Sequence, residues 1–130
     1  MSERILPLLL VGAGGFIGAN ARYLVAKWVG GVFEARFPLA TFLINVGGSF
    51  LIGLLVAALG ERLFPHADAL RLALGVGFLG AFTTFSTFEL ETHALFDDGL
   101  WLTAIANIFL SLFAGLVAVR LGILAAKSWL

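Results

Sequence analysis

The sequence predicts an all-α membrane protein with four transmembrane helices. Composition is the first ground: hydrophobic types make up 61% of the 130 residues, charged types only 12%, and mean hydropathy is +1.06. A soluble domain carries about 45–50% apolar and about 25% charged residues, and a soluble fold this small could not bury so much apolar surface. Periodicity is the second ground, because the apolar residues collect into four uncharged runs of spanning length. Placement of the polar residues is the third, since those inside the runs recur at helical spacing. Low charge with high hydrophobicity also excludes disorder. Eight basic and eight acidic residues cancel, so there is no basic surface for nucleic acid. Cysteine is absent, which excludes disulfides, thiolate catalysis and Cys-ligated metals. Two histidines, His66 and His93, are too few for a His-rich metal site.

The first run, Ile5 to Ala21, lies between Arg4 and Arg22. It resembles a secretory signal in having a short basic start, an apolar core and small residues. The start is weak, with Glu3 beside Arg4, and Gly12, Gly14, Gly15 and Gly18 suit helix packing. It is read as a retained span. The second run, Phe37 to Gly60, and the fourth, Gly99 to Val119, meet the length of about 17–25 residues that a spanning helix needs. The third, Leu72 to Phe88, is short and is expected to continue past its flanking charges. The expected spans are about 5–27, 37–60, 70–95 and 99–122, in one membrane domain covering residues 1–130 with no soluble domain attached. With both termini inside, the inner segments hold Arg4, Arg62, Arg71, Arg120 and Lys127, and the outer ones Lys27 and Arg36. This mildly favours cytoplasmic termini, although so small a bias does not fix orientation.

Polar side chains at bilayer depth are costly and face protein or water. In the second span Thr41, Asn45 and Ser49 stand at i, i+4 and i+8 along one helical face. In the fourth, Thr103, Asn107, Ser111 and Gly115 do the same. Such stripes either bind helices together or line a narrow polar path. In the third span, Phe82 to Phe88 holds four hydroxyls (Thr83, Thr84, Ser86, Thr87) and three phenylalanines, after Gly75, Gly77 and Gly80. Glycine and β-branched threonine weaken a helix, and hydroxyls compete for its ladder. The composition predicts a third helix broken near mid-membrane, where freed carbonyls bind cations and helix N-termini face anions. The alternative is a continuous helix with hydroxyls bonded to the preceding turn. Phe82, Phe85 and Phe88 at i, i+3 and i+6 suit packing, but ring edges carry positive charge that could help an anion shed water.

Arg22 either snorkels to the interface or lines a vestibule, with Glu89 and Glu91 as possible partners. His93 reads as an interfacial residue. No phosphate loop, His-Glu-x-x-His or Gly-x-Ser-x-Gly is present, and hydroxyls without a base are poor nucleophiles. Catalysis is not expected. The spans are expected to hold no embedded carboxylate, with Glu89 and Glu91 too near an end to fit, which counts against a proton-coupled pump.

Three segments carry a family likeness. They are Gly14-Gly15-Phe16-Ile17-Gly18-Ala19 with Arg22-Tyr23, Thr41 through Phe50, and Gly77 through Glu89. Over nearly its whole length the chain resembles the Fluc family of fluoride-selective ion channels. The resemblance implies an antiparallel, dual-topology homodimer in the cell (inner) membrane, with two fluoride paths along the dimer interface. It implies passive export of fluoride from the cytoplasm, which reduces its toxicity. The paired pore phenylalanines would be Phe85 and Phe88, and the pore asparagine Asn45. Thr41, Thr84, Ser86 and Thr87 would join the path, with Asn107 and Ser111 on a fourth-helix track. Asn107 stands where the family often has an aromatic hydroxyl, and Gly115 where it can have serine. A structural Na+ at the dimer centre would take main-chain carbonyls of Gly80 and Thr83, and Arg22 would lie near the vestibule. The competing readings are a small four-span proton-coupled multidrug exporter, which needs a buried carboxylate, and a non-transporting assembly subunit, which needs no broken helix.

Overall fold

The computed structural model describes residues 3–60 and 64–130, and every regular element in it is helical. Helix α1 is Ile5–Val32 and α2 is Leu39–Gly60. The third span is composite: a short α3 (Ala67–Leu70), a wide-turn π-helical stretch (Arg71–Leu79), α4 (Gly80–Phe82) and α5 (Phe85–Asp97). Helix α6 is Trp101–Trp129. Four helical segments are long and apolar enough to cross a membrane: Ile5–Val32, Leu39–Gly60, Ala67–Asp97 and Trp101–Trp129. The chain is thus a multi-pass membrane protein by the length and apolarity of its helices. Arg62, counted above in the charge bias, lies outside the described residues.

The ends of these helices follow local chemistry. Pro38 precedes α2, where a missing N–H costs nothing, and its carbonyl accepts the Phe42 amide. Helix α5 stops at Gly99, whose φ of +74° is open to glycine but strained for other residues. Gly99 N–H bonds Phe96 O and Leu100 N–H bonds Leu95 O, the paired closing bonds of a Schellman turn. That turn reverses the chain at once into α6, and Phe96 meets Trp101 edge to face across it.

Packing pairs α2 with α6, and α1 with the π-helical stretch. In the second pair backbones touch: a Cβ at Gly18 would run into the Phe78 carbonyl. Sequence reasoning expected the third-span glycines to break a helix; upstream of the break they also permit this close approach and the widened turns. Little of the spans is enclosed within the chain itself. Phe16, Leu102, Phe113 and Leu116 are among many large apolar side chains left exposed, as a bilayer or a partner subunit requires.

Candidate functional site

The third span is interrupted at its middle. Thr83 (φ −79°, ψ 159°) and Thr84 (φ −149°, ψ 121°) are extended between α4 and α5. Thr83 Oγ1 donates back to Leu79 O at 2.9 Å, so hydroxyl back-bonding and a break occur together rather than as alternatives. Thr84 Oγ1 accepts the Thr87 amide at 3.2 Å and caps the start of α5.

Two side chains from other helices meet this break. Asn45 grips Thr84 at both ends: Oδ1 accepts the Thr84 amide and Nδ2 donates to the Thr84 carbonyl, each at 2.8 Å. In an unbroken helix that amide would bond Gly80 O. Arg22 Nε donates to Ala81 O at 3.0 Å, placing a cation at the carbonyl end of the upstream half-helix, where the helix dipole favours it. Neither expected carboxylate partner of Arg22 is realised. Among the described residues Arg71 pairs with Asp68, and His93 Nε2 lies 3.1 Å from Asp97 Oδ2.

Glu91 instead accepts a hydrogen bond from Thr41 Oγ1 at 2.8 Å. This corrects the expectation that the spans hold no carboxylate: Glu91 lies within the 31-residue helical segment Ala67–Asp97. The Thr41 hydroxyl gives it a donor, and its position at the middle of α5 sets it apart from the break.

Two polar stripes therefore meet the third span differently. Thr41 and Asn45 of α2 both bond to it. Asn107 of α6 is enclosed, at 1% exposure, between α5 and its own helix. Its Nδ2 donates to Thr92 Oγ1 at 2.9 Å, and its Oδ1 accepts Ser111 Oγ at 3.1 Å. Thr92 in turn donates to Phe88 O. Sequence reasoning missed Thr92, although its spacing of four from Phe88 was a usable signal for back-bonding.

Phe85 and Phe88 stand at the start of α5 with ring centroids 6.0 Å apart. Phe88 is buried at 6% exposure, whereas Phe85 is 71% exposed. A cavity of about 380 Å³ opens beside the break, lined by Asn45, Ser49, Gly80, Thr83, Thr84 and Phe85. A second, of about 420 Å³, runs along α5 and α6 past Phe85, Phe88, Thr92 and His93. Ser86 is exposed, and Thr87 is half-buried. The predicted residues thus gather around one break, except Thr41, which meets Glu91 further along α5, and Asn107 and Ser111, which sit between α5 and α6.

A family model described as CrcB-like protein, Camphor Resistance (CrcB), matches residues 9–123. The chain belongs to the CrcB/Fluc family. It is 46% identical over 130 residues to a protein of Prosthecochloris aestuarii named fluoride-specific ion channel FluC, covering 99% of each chain. Proteins of the same name from Sulfurovum sp. and Ruminiclostridium cellulolyticum are each 44% identical. These matches cover 92% of this chain and 93% of the first relative, and 97% and 96% for the second. In this CrcB/Fluc chain, the segment Gly77 through Glu89 that carried the likeness is the segment that holds the break.

Proposed function

We propose that this protein is a fluoride-specific ion channel through which fluoride leaves the cytoplasm passively. The observation that carries the reading is the interrupted third span, which sets an exposed aromatic ring, a cluster of hydroxyls and a helix N-terminus together on an otherwise apolar surface. The names of its full-length relatives support the choice of ion. Fluoride is small and strongly hydrated, so a dry path must replace its water with several weak donors. Ring edges supply partial positive charge, and the Ser and Thr hydroxyls supply O–H. Among the described residues no ring of lysines or arginines gathers at the break, and weak sites suit conduction because an ion must leave as well as enter.

A partner subunit fits this reading. Gly80, Phe85 and Ser86 are exposed on the protomer, and freed carbonyls turned to lipid would each cost several kcal/mol, about the penalty of an unpaired polar group. A second copy covers them, and the antiparallel homodimer of dual topology in the inner membrane is the arrangement we favour. A structural Na+ also suits the donors present. Asn45 takes the Thr84 amide and so leaves Gly80 O without its helical partner. Thr83 is extended at the break, which frees its main-chain oxygen from the helical ladder, and its hydroxyl donates to Leu79 O. Carbonyl oxygens are ligands for a hard cation, and a bound Na+ would supply positive charge at the subunit contact.

Glu91 gives the proton-coupled exporter its one foothold, yet the carboxylate sits away from the break and bonds to Thr41. Growth separates the two. In a bacterial strain deprived of its own fluoride export, this protein is expected to restore growth in millimolar fluoride without changing tolerance to cationic drugs. Drug tolerance without fluoride tolerance would favour the exporter.

A further inference from the structure

Closing the third helix across its break requires four backbone bonds, from the amides of Thr84, Phe85, Ser86 and Thr87 to the carbonyls four residues before them, and the first two are Thr84 N–H to Gly80 O and Phe85 N–H to Ala81 O. One side chain occupies a member of each. Asn45 Oδ1 from α2 holds the donor of the first, at 2.8 Å. Arg22 Nε from α1 holds the acceptor of the second, at 3.0 Å. The two come from different helices and act on consecutive bonds, one from the donor side and one from the acceptor side. Asn45 also donates to Thr84 O, so its amide mimics the two-point pairing of a β-ladder and favours the extended backbone.

We propose that Arg22 and Asn45 are positioning residues that together wedge the third helix open. The break is then not a property of its own sequence alone. Glycine and threonine make the segment willing to leave the helix, and the wedge competes for a member of each of the first two bonds that would draw it back. Arg22 acts through its side-chain donor and its charge on the upstream half-helix, rather than by lining the path. The importance of the wedge for transport rests on the channel reading above: with the bonds re-formed, the Gly80 and Ala81 carbonyls are taken back, and α5 with Phe85 and Phe88 is re-aimed. The wedge itself is a statement about backbone conformation and stands or falls separately.

The test uses the full chain, isotope-labelled in lipid bilayers, with two readouts that do not depend on flux. These are the Thr84 Cα and Cβ chemical shifts and the deuterium exchange of the Phe85 amide. Arg22→Met keeps the apolar stem and removes the donor, whereas Arg22→Lys keeps a charged donor. In the parent, Thr84 shifts are expected to be extended in type, as its backbone angles are. Arg22→Met is expected to slow Phe85 amide exchange at least tenfold as that amide pairs with Ala81 O. Arg22→Lys is expected to match the parent. Adding Asn45→Leu to Arg22→Met is expected to move the Thr84 shifts to helical values. If Arg22→Met and Arg22→Lys leave Phe85 exchange at the parent's rate, the wedge is overturned. It is equally overturned if the two single variants change exchange alike, since stem packing would then explain both. The lysine and methionine comparison decides the matter even where the double variant does not assemble.

Discussion

Phe85→Ile is expected to cut fluoride flux about tenfold or more while the protein assembles as before. The ring is 71% exposed on the protomer, so an aliphatic side chain of similar bulk disturbs little packing. What isoleucine lacks is the positive ring edge. Losing about 1.4 kcal/mol of stabilisation for a partly dehydrated ion corresponds to a tenfold slower step. Phe88→Ile should reduce flux as well, but with a different accompaniment. Phe88 is buried and its carbonyl anchors Thr92, so this variant should also lose thermal stability, by about 1–3 kcal/mol for a changed core shape. Electrode-detected flux and detergent unfolding, measured side by side, check both. Parent-like flux in both variants would make the rings packing alone.

The second large effect is expected at Asn45. Asn45→Leu fits the same volume but leaves the Thr84 amide and carbonyl without their side-chain partner. An orphaned buried group costs about 1–3 kcal/mol, and no water inside a bilayer replaces the bond. The Thr84 amide escapes that cost only by turning back toward Gly80 O, which distorts the break while Arg22 still holds Ala81 O, so flux should fall by two orders of magnitude or more, a change of about 2.7 kcal/mol. Ser49→Ala, one turn further along the same stripe, is the control and should keep most of the flux. Equal losses in the two variants would mean that the stripe acts as a whole and that the grip on Thr84 is incidental.

How much of this the sequence discloses depends on how local each signal is. Four long apolar helices follow from the charge-free runs, because composition alone fixes what a bilayer accepts. The interruption at Thr83 and Thr84 is legible too, since glycine, β-branching and competing hydroxyls all act within a few residues. The π-helical stretch Arg71–Leu79 is not. Its residues read as an ordinary helix until Gly77 is seen against the α1 backbone, with Val11 and Gly14 beside it. The contact of Arg22 with Ala81 spans 59 positions, and no periodicity connects them. Asn107 was legible as a membrane-buried polar residue, but its partner Thr92 lies on another helix. The stripe could therefore be found without saying what it faces. Glu91 shows the reverse: the apolar run ended at the charge of Glu89, while the helix continues past both glutamates to Asp97.

The claim that fluoride crosses passively is tested most directly by release from liposomes. Purified protein is reconstituted into vesicles loaded with potassium fluoride, and a fluoride electrode follows the outside solution. The account predicts fast release once valinomycin lets potassium follow, no release without the ionophore, no need for a pH gradient, and little chloride release under the same conditions. Fluoride retained with valinomycin present, or released only when a proton gradient is imposed, would contradict it.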